Sequence, residues 1–279
     1  MILLPNIKPY EASDMQTIPA DRNILPVYMA LHKGMKHFRD EEFVCVIPKE
    51  HQRDYTVLHM SSIGHCGRKE FFHRYYTERY DTREMSLRLR IPPPYNAFAL
   101  GNMIEAYTLH LLKLGGLLPF EEQKELSDLN GKITGHIDAL VRIEGKEYLI
   151  EIKGLKSESI SLLLSCGLKK AIPGYYSQMQ YYMFCLKIEA GYLIALDKGT
   201  SKWYIEYVKL DSDHITFLRK KVLALHGLQA IEEIPEKFIV RDCRFCPLID
   251  MCAEIEGQEK FIQNFVDSER RSIYEQSSL

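Results

Sequence analysis

The sequence predicts an α/β fold, a mixed sheet flanked by helices, on three observations. "KITGHIDALVRI" (132–143) alternates apolar and polar residues and is followed, after a turn, by "EYLIEIKG" (147–154), the pattern of a β-hairpin. "NAFALGNMIEAYTLHLLKLGG" (96–116) is apolar nearly all round, as a helix buried within a domain would be. Beyond the hairpin, helical and strand periodicities alternate again.

Taken in order, residues 1–60 are mixed in character, and Pro5, Pro9, Pro19 and Pro26 argue against long elements, which makes this an N-terminal arm. In residues 61–95, "SSIGHCGRKEFFHRYY" suits a helix capped by Ser61 or Ser62, and "LRIPPPY" is an extended break. Residues 96–235 hold the core. There the 96–116 helix stops at Gly115-Gly116, and the first strand sets Ile133, Ile137, Ala139, Val141 and Ile143 on one side and Thr134, His136 and Asp138 on the other. Glu144-Gly145 or Gly145-Lys146 makes the turn. After Pro173-Gly174 come the helix "YYSQMQYYMFCL" (175–186), the strands "AGYLIAL" and "KWYIEYVKL", and a long helix from about Asp213 to Ile231. Residues 236–279 carry a cysteine cluster and a polar tail.

Composition excludes more than it assigns. A length of 279 residues with 46% apolar side chains fills a substantial core, and a net charge of −2 advertises no nucleic-acid partner, so any such surface must be a local patch. The N-terminus has no secretory pattern and no run approaches the ~18 apolar residues of a membrane span. The expectation is a cytoplasmic protein in which the seven cysteines are thiols or metal ligands.

On the second strand, Tyr148, Ile150 and Ile152 alternate with a row carrying Glu151 and Lys153. By itself that row reads as a solvated sheet face. With Asp138 on the facing strand, however, two acids and an amine share one region, as phosphodiester hydrolysis requires: oxygen ligands for a hard divalent cation, and a cation or base beside the attacking water. "GHIDAL" followed by "EIK" resembles the PD-(D/E)XK nuclease superfamily, most closely its RecB-like branch. The resemblance implies a restriction-endonuclease-like core. "ALGNMIEAY" supplies Glu105 where many RecB-like members carry histidine and some phage exonucleases carry glutamate; His110 is the fallback. The family's Gln-x-x-x-Tyr motif matches Gln178 and Tyr182, one helical turn apart, which implies substrate-positioning residues reaching DNA or the lysine. His136 reads as a packing or supporting residue.

"CRFCPLIDMC" supplies Cys243, Cys246 and Cys252, three thiolates that suit zinc or an iron–sulfur cluster, each of which wants a fourth ligand. Cys66 is the candidate, with Cys45 as substitute; Cys166 and Cys185 read as ordinary buried thiols. Spacing leaves zinc and cluster open. The chain is similar to the iron–sulfur RecB-like nucleases, including AddB and the CRISPR-associated exonucleases, with one cysteine upstream and C-x2-C-x5-C downstream, which implies a structural four-iron four-sulfur cluster. Arg68, Lys69, Arg74 and Arg79 follow Cys66 and suit a phosphate path, Arg68 foremost.

The resemblance thus implies a DNA exonuclease in which Glu105, Asp138, Glu151 and the Ile152 backbone carbonyl bind Mg²⁺ or Mn²⁺ and Lys153 orients and deprotonates water. It implies single-stranded or free-ended DNA as substrate and recombination or CRISPR proteins as partners. A structure-specific or restriction-like endonuclease, and a non-catalytic iron–sulfur DNA-binding subunit, are the alternatives.

Overall fold

A computed structural model describes residues 21–38, 43, 57–79, 95–228 and 252. Within the arm, Pro26 does not prevent a helix. It occupies the first turn of α1 (Leu25–His37), where a missing N–H costs nothing, and α1 joins the core through buried Val27, Ala30 and Leu31. A short strand, β1 (Leu58–His59), and a turn lead to α2 (Gly67–Arg79), which begins at Gly67 and not at a serine cap; Ser62 Oγ donates instead to Glu70 Oε2 at 2.6 Å.

The buried helix α3 (Tyr95–Leu114) ends at the glycine pair. Gly116 takes a left-handed φ of 89°, and the Leu117 N–H bonds back to the Leu112 carbonyl, closing the helix end. Gly115 has a second reason to be glycine: a Cβ there would lie 1.9 Å from the Ala30 carbonyl oxygen, just as one at Gly34 would lie 2.0 Å from that of Leu111. Backbone contact therefore sets the α1–α3 packing. The expectation of burial all round fails at the N-terminal end of α3, where Phe98 and Leu100 are exposed.

Next come β2 (Pro119–Glu122), β3 (Glu125–Asp128), β4 (Ile133–His136), β5 (Ala139–Ile143) and β6 (Lys146–Leu155). Two helices, α4 (Ser157–Ala171) and α5 (Pro173–Leu186), precede β7 (Ala190–Asp197), β8 (Trp203–Lys209) and α6 (Ser212–Gly227). The last helix stops short of Ile231, because Leu228 is already extended at ψ 127°. Glu144 and Gly145, both at positive φ, form the two-residue turn and set Ile143 opposite Lys146.

The single strand expected over 132–143 is two strands in two sheets. Residues 133–136 pair with β1 and β3, residues 139–143 pair with β2 and β6, and the chain bends at Ile137-Asp138. The larger sheet runs β2-β5-β6-β7-β8, with β6 and β7 parallel and the other pairs antiparallel; the smaller runs β1-β4-β3. This is the mixed, helix-flanked sheet that the sequence predicts. One face of the large sheet packs Ile150, Ile152, Tyr192 and Ile194 against α1 and α3, and the other packs Leu149 and Leu193 with α4, α5 and α6. The row of Glu151 is therefore not solvated.

Candidate active site

The bend at Asp138 creates the site. Strand β5 ends its pairing at Ala139 opposite Ile150, so the Ile152 N–H on the same edge of β6 has no strand to bond. Asp138 Oδ2 accepts that N–H at 2.6 Å. A strand residue's N–H and C=O leave on the same side, so the Ile152 carbonyl faces the Asp138 gap as well.

Glu151 is fully buried on the opposite row, in an ion pair with Lys153 through Oε1. The same oxygen accepts from Gln178 Nε2 at 2.9 Å, and that nitrogen also donates to the Tyr182 hydroxyl at 2.9 Å. Gln178 and Tyr182 are themselves buried, and of the two Gln178 bonds directly to Glu151, the partner of the lysine that the pair was expected to reach if not DNA. Lys153 Nζ lies 5.4 Å from the centre of the Tyr175 ring, a cation–π arrangement. Glu105, from α3, accepts a short hydrogen bond from the Gln123 carboxamide.

Three acids thus surround one ammonium, and the imbalance shifts their protonation. Burial, then the Asp138 charge, pushes the Glu105 carboxyl up to about 7 and the Glu151 carboxyl up to about 8, against the pull of Lys153. Asp138 is also raised by burial, opposed by Lys153 and the Ile152 N–H. For Lys153 burial favours the neutral amine, but the Glu151 and Asp138 charges outweigh it and raise its pKa. Those carboxylate charges favour the ammonium form of the lysine.

Among the described residues no three His, Cys, Asp or Glu side chains stand ready-assembled as a metal cage. The donor chemistry nevertheless fits a hard divalent cation: three carboxylates, the Ile152 carbonyl where β5 no longer pairs with β6, and Glu151 Oε2 buried without a hydrogen-bond partner. An excess of buried negative charge with an orphaned oxygen is what an oxygen-ligated cation would relieve.

Other expected residues fall elsewhere. The His110 ring lies among those of Phe38 and Phe43, at centroid distances of 5.9 and 5.3 Å. His136 is exposed, which removes the packing role expected of it. Arg68 is only 7% exposed, a burial that withdraws it from a phosphate path, and Arg74 donates to the carbonyls of Leu225, His226 and Leu228, tying off the end of α6. The Arg79 side chain lies outside the described residues, as do Cys45, Cys243 and Cys246. Cys66 and Cys252 are half-buried, Cys252 against the core, and Cys166 is exposed instead of buried. Burial, then Asp128, pushes the Cys185 thiol up to about 12.

Gln123 and Tyr175 escaped the sequence reading. Tyr175 had a signal, since it lies three residues before Gln178 and shares its helix face. Gln123 had none. No helix among the described residues is long and apolar enough to cross a membrane.

No family model matches the chain, and no curated protein matches it. Among solved structures, SSO0001 aligns with a TM-score of 0.49 at 20% identity, covering 81% of this chain and 94% of the other. The alkaline exonuclease LHK-Exo of Laribacter hongkongensis aligns with a TM-score of 0.46 at 16% identity, covering 62% and 87%. A phage-related exonuclease from Haemophilus somnus 129PT gives a TM-score of 0.43 at 16% identity, covering 61% and 92%. These superpositions are loose, so the chemistry of the site itself carries the functional reading.

Proposed function

We propose that this chain is a divalent-cation-dependent deoxyribonuclease that degrades DNA from its ends, favouring single strands, and that it carries a structural four-iron four-sulfur cluster. The observation supporting the nuclease is the gathering of Glu105, Asp138 and Glu151, from a helix, a strand bend and a strand interior, around one half-buried lysine. Glu105, Asp138, Glu151 and the Ile152 carbonyl would hold Mg²⁺ or Mn²⁺, which when bound supplies Lewis-acid stabilisation of charge on the phosphate and the leaving 3′ oxygen. Lys153, fixed by Glu151 and the Tyr175 ring, donates from its ammonium to the attacking water or a phosphoryl oxygen. Its role includes orienting the attacking water. Gln178, itself donating to Tyr182, keeps Glu151 in its rotamer. Preference for ends and single strands, and partners in recombination or CRISPR complexes, rest on the family resemblance alone.

Purified protein incubated with end-labelled linear and circular single-stranded DNA tests the reading. Linear DNA should be degraded with Mg²⁺ or Mn²⁺ and spared in excess EDTA, while circles should survive. Cutting of circles replaces the exonuclease by an endonuclease; undiminished hydrolysis in EDTA overturns the cation site. Protein purified without oxygen should be brown and hold about four irons per chain. Colourless protein with one zinc would replace the cluster by a zinc site.

A further inference from the structure

Gln123 lies in none of the sequence motifs, yet both its backbone and its side chain lead to the acids. At Gln123-Lys124 the chain passes from β2 in the large sheet to β3 in the small one, directly across from Ile137-Asp138, where it passes back from β4 to β5. The two junctions are stitched together: the Gln123 N–H donates to the Asp138 carbonyl at 3.2 Å, and the Ile137 N–H donates to the Lys124 carbonyl at 3.1 Å. Gln123 takes a left-handed φ of 52°, uncommon for a residue with a side chain, so the pairing of two sheets fixes its backbone against local preference. From that anchored point its carboxamide donates to Glu105 Oε1. One residue therefore links the backbone of the Asp138 bend to the carboxylate of Glu105, which comes from a different layer of the fold.

We propose that Gln123 is a positioning residue of the cation site, holding Glu105 by one carboxylate oxygen so that the other is presented to the cation. The inference rests on reading the three acids as ligands. An outer hydrogen bond of this kind sets the orientation of a ligand before the ion arrives, and its loss typically weakens metal binding about 10- to 100-fold. The rival explanation is an ordinary surface hydrogen bond, since the Gln123 side chain is solvent-exposed. Such a bond would be dispensable to binding.

The test is a calorimetric Mn²⁺ titration of the full chain as wild type and as Gln123→Met, which keeps the length and removes the donor. Melting of both metal-free proteins and DNA cleavage at limiting and saturating Mn²⁺ accompany it. The expected result is a Kd for Mn²⁺ at least about tenfold weaker in the variant, an unchanged metal-free Tm, and a cleavage rate that recovers toward wild type at saturating Mn²⁺. Equal Kd values overturn the proposal, and so does a lowered metal-free Tm, which would make Gln123 a fold contact. A wild type that binds no Mn²⁺ overturns the cation site itself, a result distinguishable from failure at Gln123.

Discussion

Glu151 shows how burial and charge count act on one side chain. Its carboxyl is pushed up to about 8 from an ordinary value near 4.5, by burial first and by Asp138 second. A carboxyl raised on folding costs nothing while both states are protonated, and the cost grows as pH rises from about 4.5 through about 8. Glu151→Gln should therefore raise the Tm of the metal-free protein at pH 9 more than at pH 5, while lowering DNA hydrolysis by orders of magnitude. A lower Tm at pH 9 would show that the partner lost to Lys153 matters more than the charge removed. For Gln178→Leu the expectation is about 10- to 100-fold slower cleavage with little change in Tm, since Glu151 loses its rotamer support. Tyr182→Phe should be milder, because the hydroxyl only accepts a second bond from the same amide. Equal rates for Gln178→Leu and wild type would detach the Gln-x-x-x-Tyr pair from the site.

At the scale of elements, close packing and one turn carry testable stability. Gly34 and Gly115 let α1 and α3 touch through their backbones, so Gly34→Ala should push the helices apart and destabilise by about 1–3 kcal/mol, read as a lower urea midpoint. An unchanged midpoint would mean that the helices separate freely. The turn after β7 depends on Asp197, which accepts from Ser157 Oγ at 2.7 Å, Thr200 Oγ1 at 2.7 Å and the Gly199 N–H at 2.8 Å. The bonds from Ser157 and Thr200, foremost, hold its carboxyl down to about 2. A depressed carboxyl stabilises fully above its ordinary value near 3.8, and that contribution disappears as pH falls through about 2. Asp197→Asn should flatten the acid limb of Tm against pH between those values; a limb of unchanged steepness would place acid sensitivity elsewhere.

Over the whole molecule, the helical layers on the two faces of the large sheet meet at the site, with Glu105 arriving from one and Gln178 and Tyr182 from the other. The segment before Cys66 is tied to α6 by Lys221, which donates to the Ile63 carbonyl at 2.7 Å and to the His65 carbonyl. Cys66→Ser should lose iron and melt earlier, whereas Cys166→Ser, an exposed thiol whose Sγ lies 3.3 Å from the Leu162 carbonyl, should change neither. Iron content and melting of both variants check this, and retention of iron with loss in Cys45→Ser would move the upstream ligand to Cys45.

Period and turn chemistry are local, and those features were legible in the chain itself: the Glu144-Gly145 hairpin, the glycine stop of α3, the strands β7 and β8, and the i, i+4 pairing of Gln178 with Tyr182. Glu105, Asp138, Glu151 and Lys153 were picked out differently, by residue type on two facing strands and by the family resemblance. Sheet membership is not local. Whether 132–143 is one strand or two depends on which partners β1, β2, β3 and β6 offer, and the resulting bend frees the Ile152 N–H for Asp138. Burial of the Glu151 row depends on helices packing the second face of the sheet, which alternation along β6 does not encode. Gln123 became visible only in the folded chain, because its importance lies in a crossing of two strand pairs that turns its carboxamide back onto Glu105.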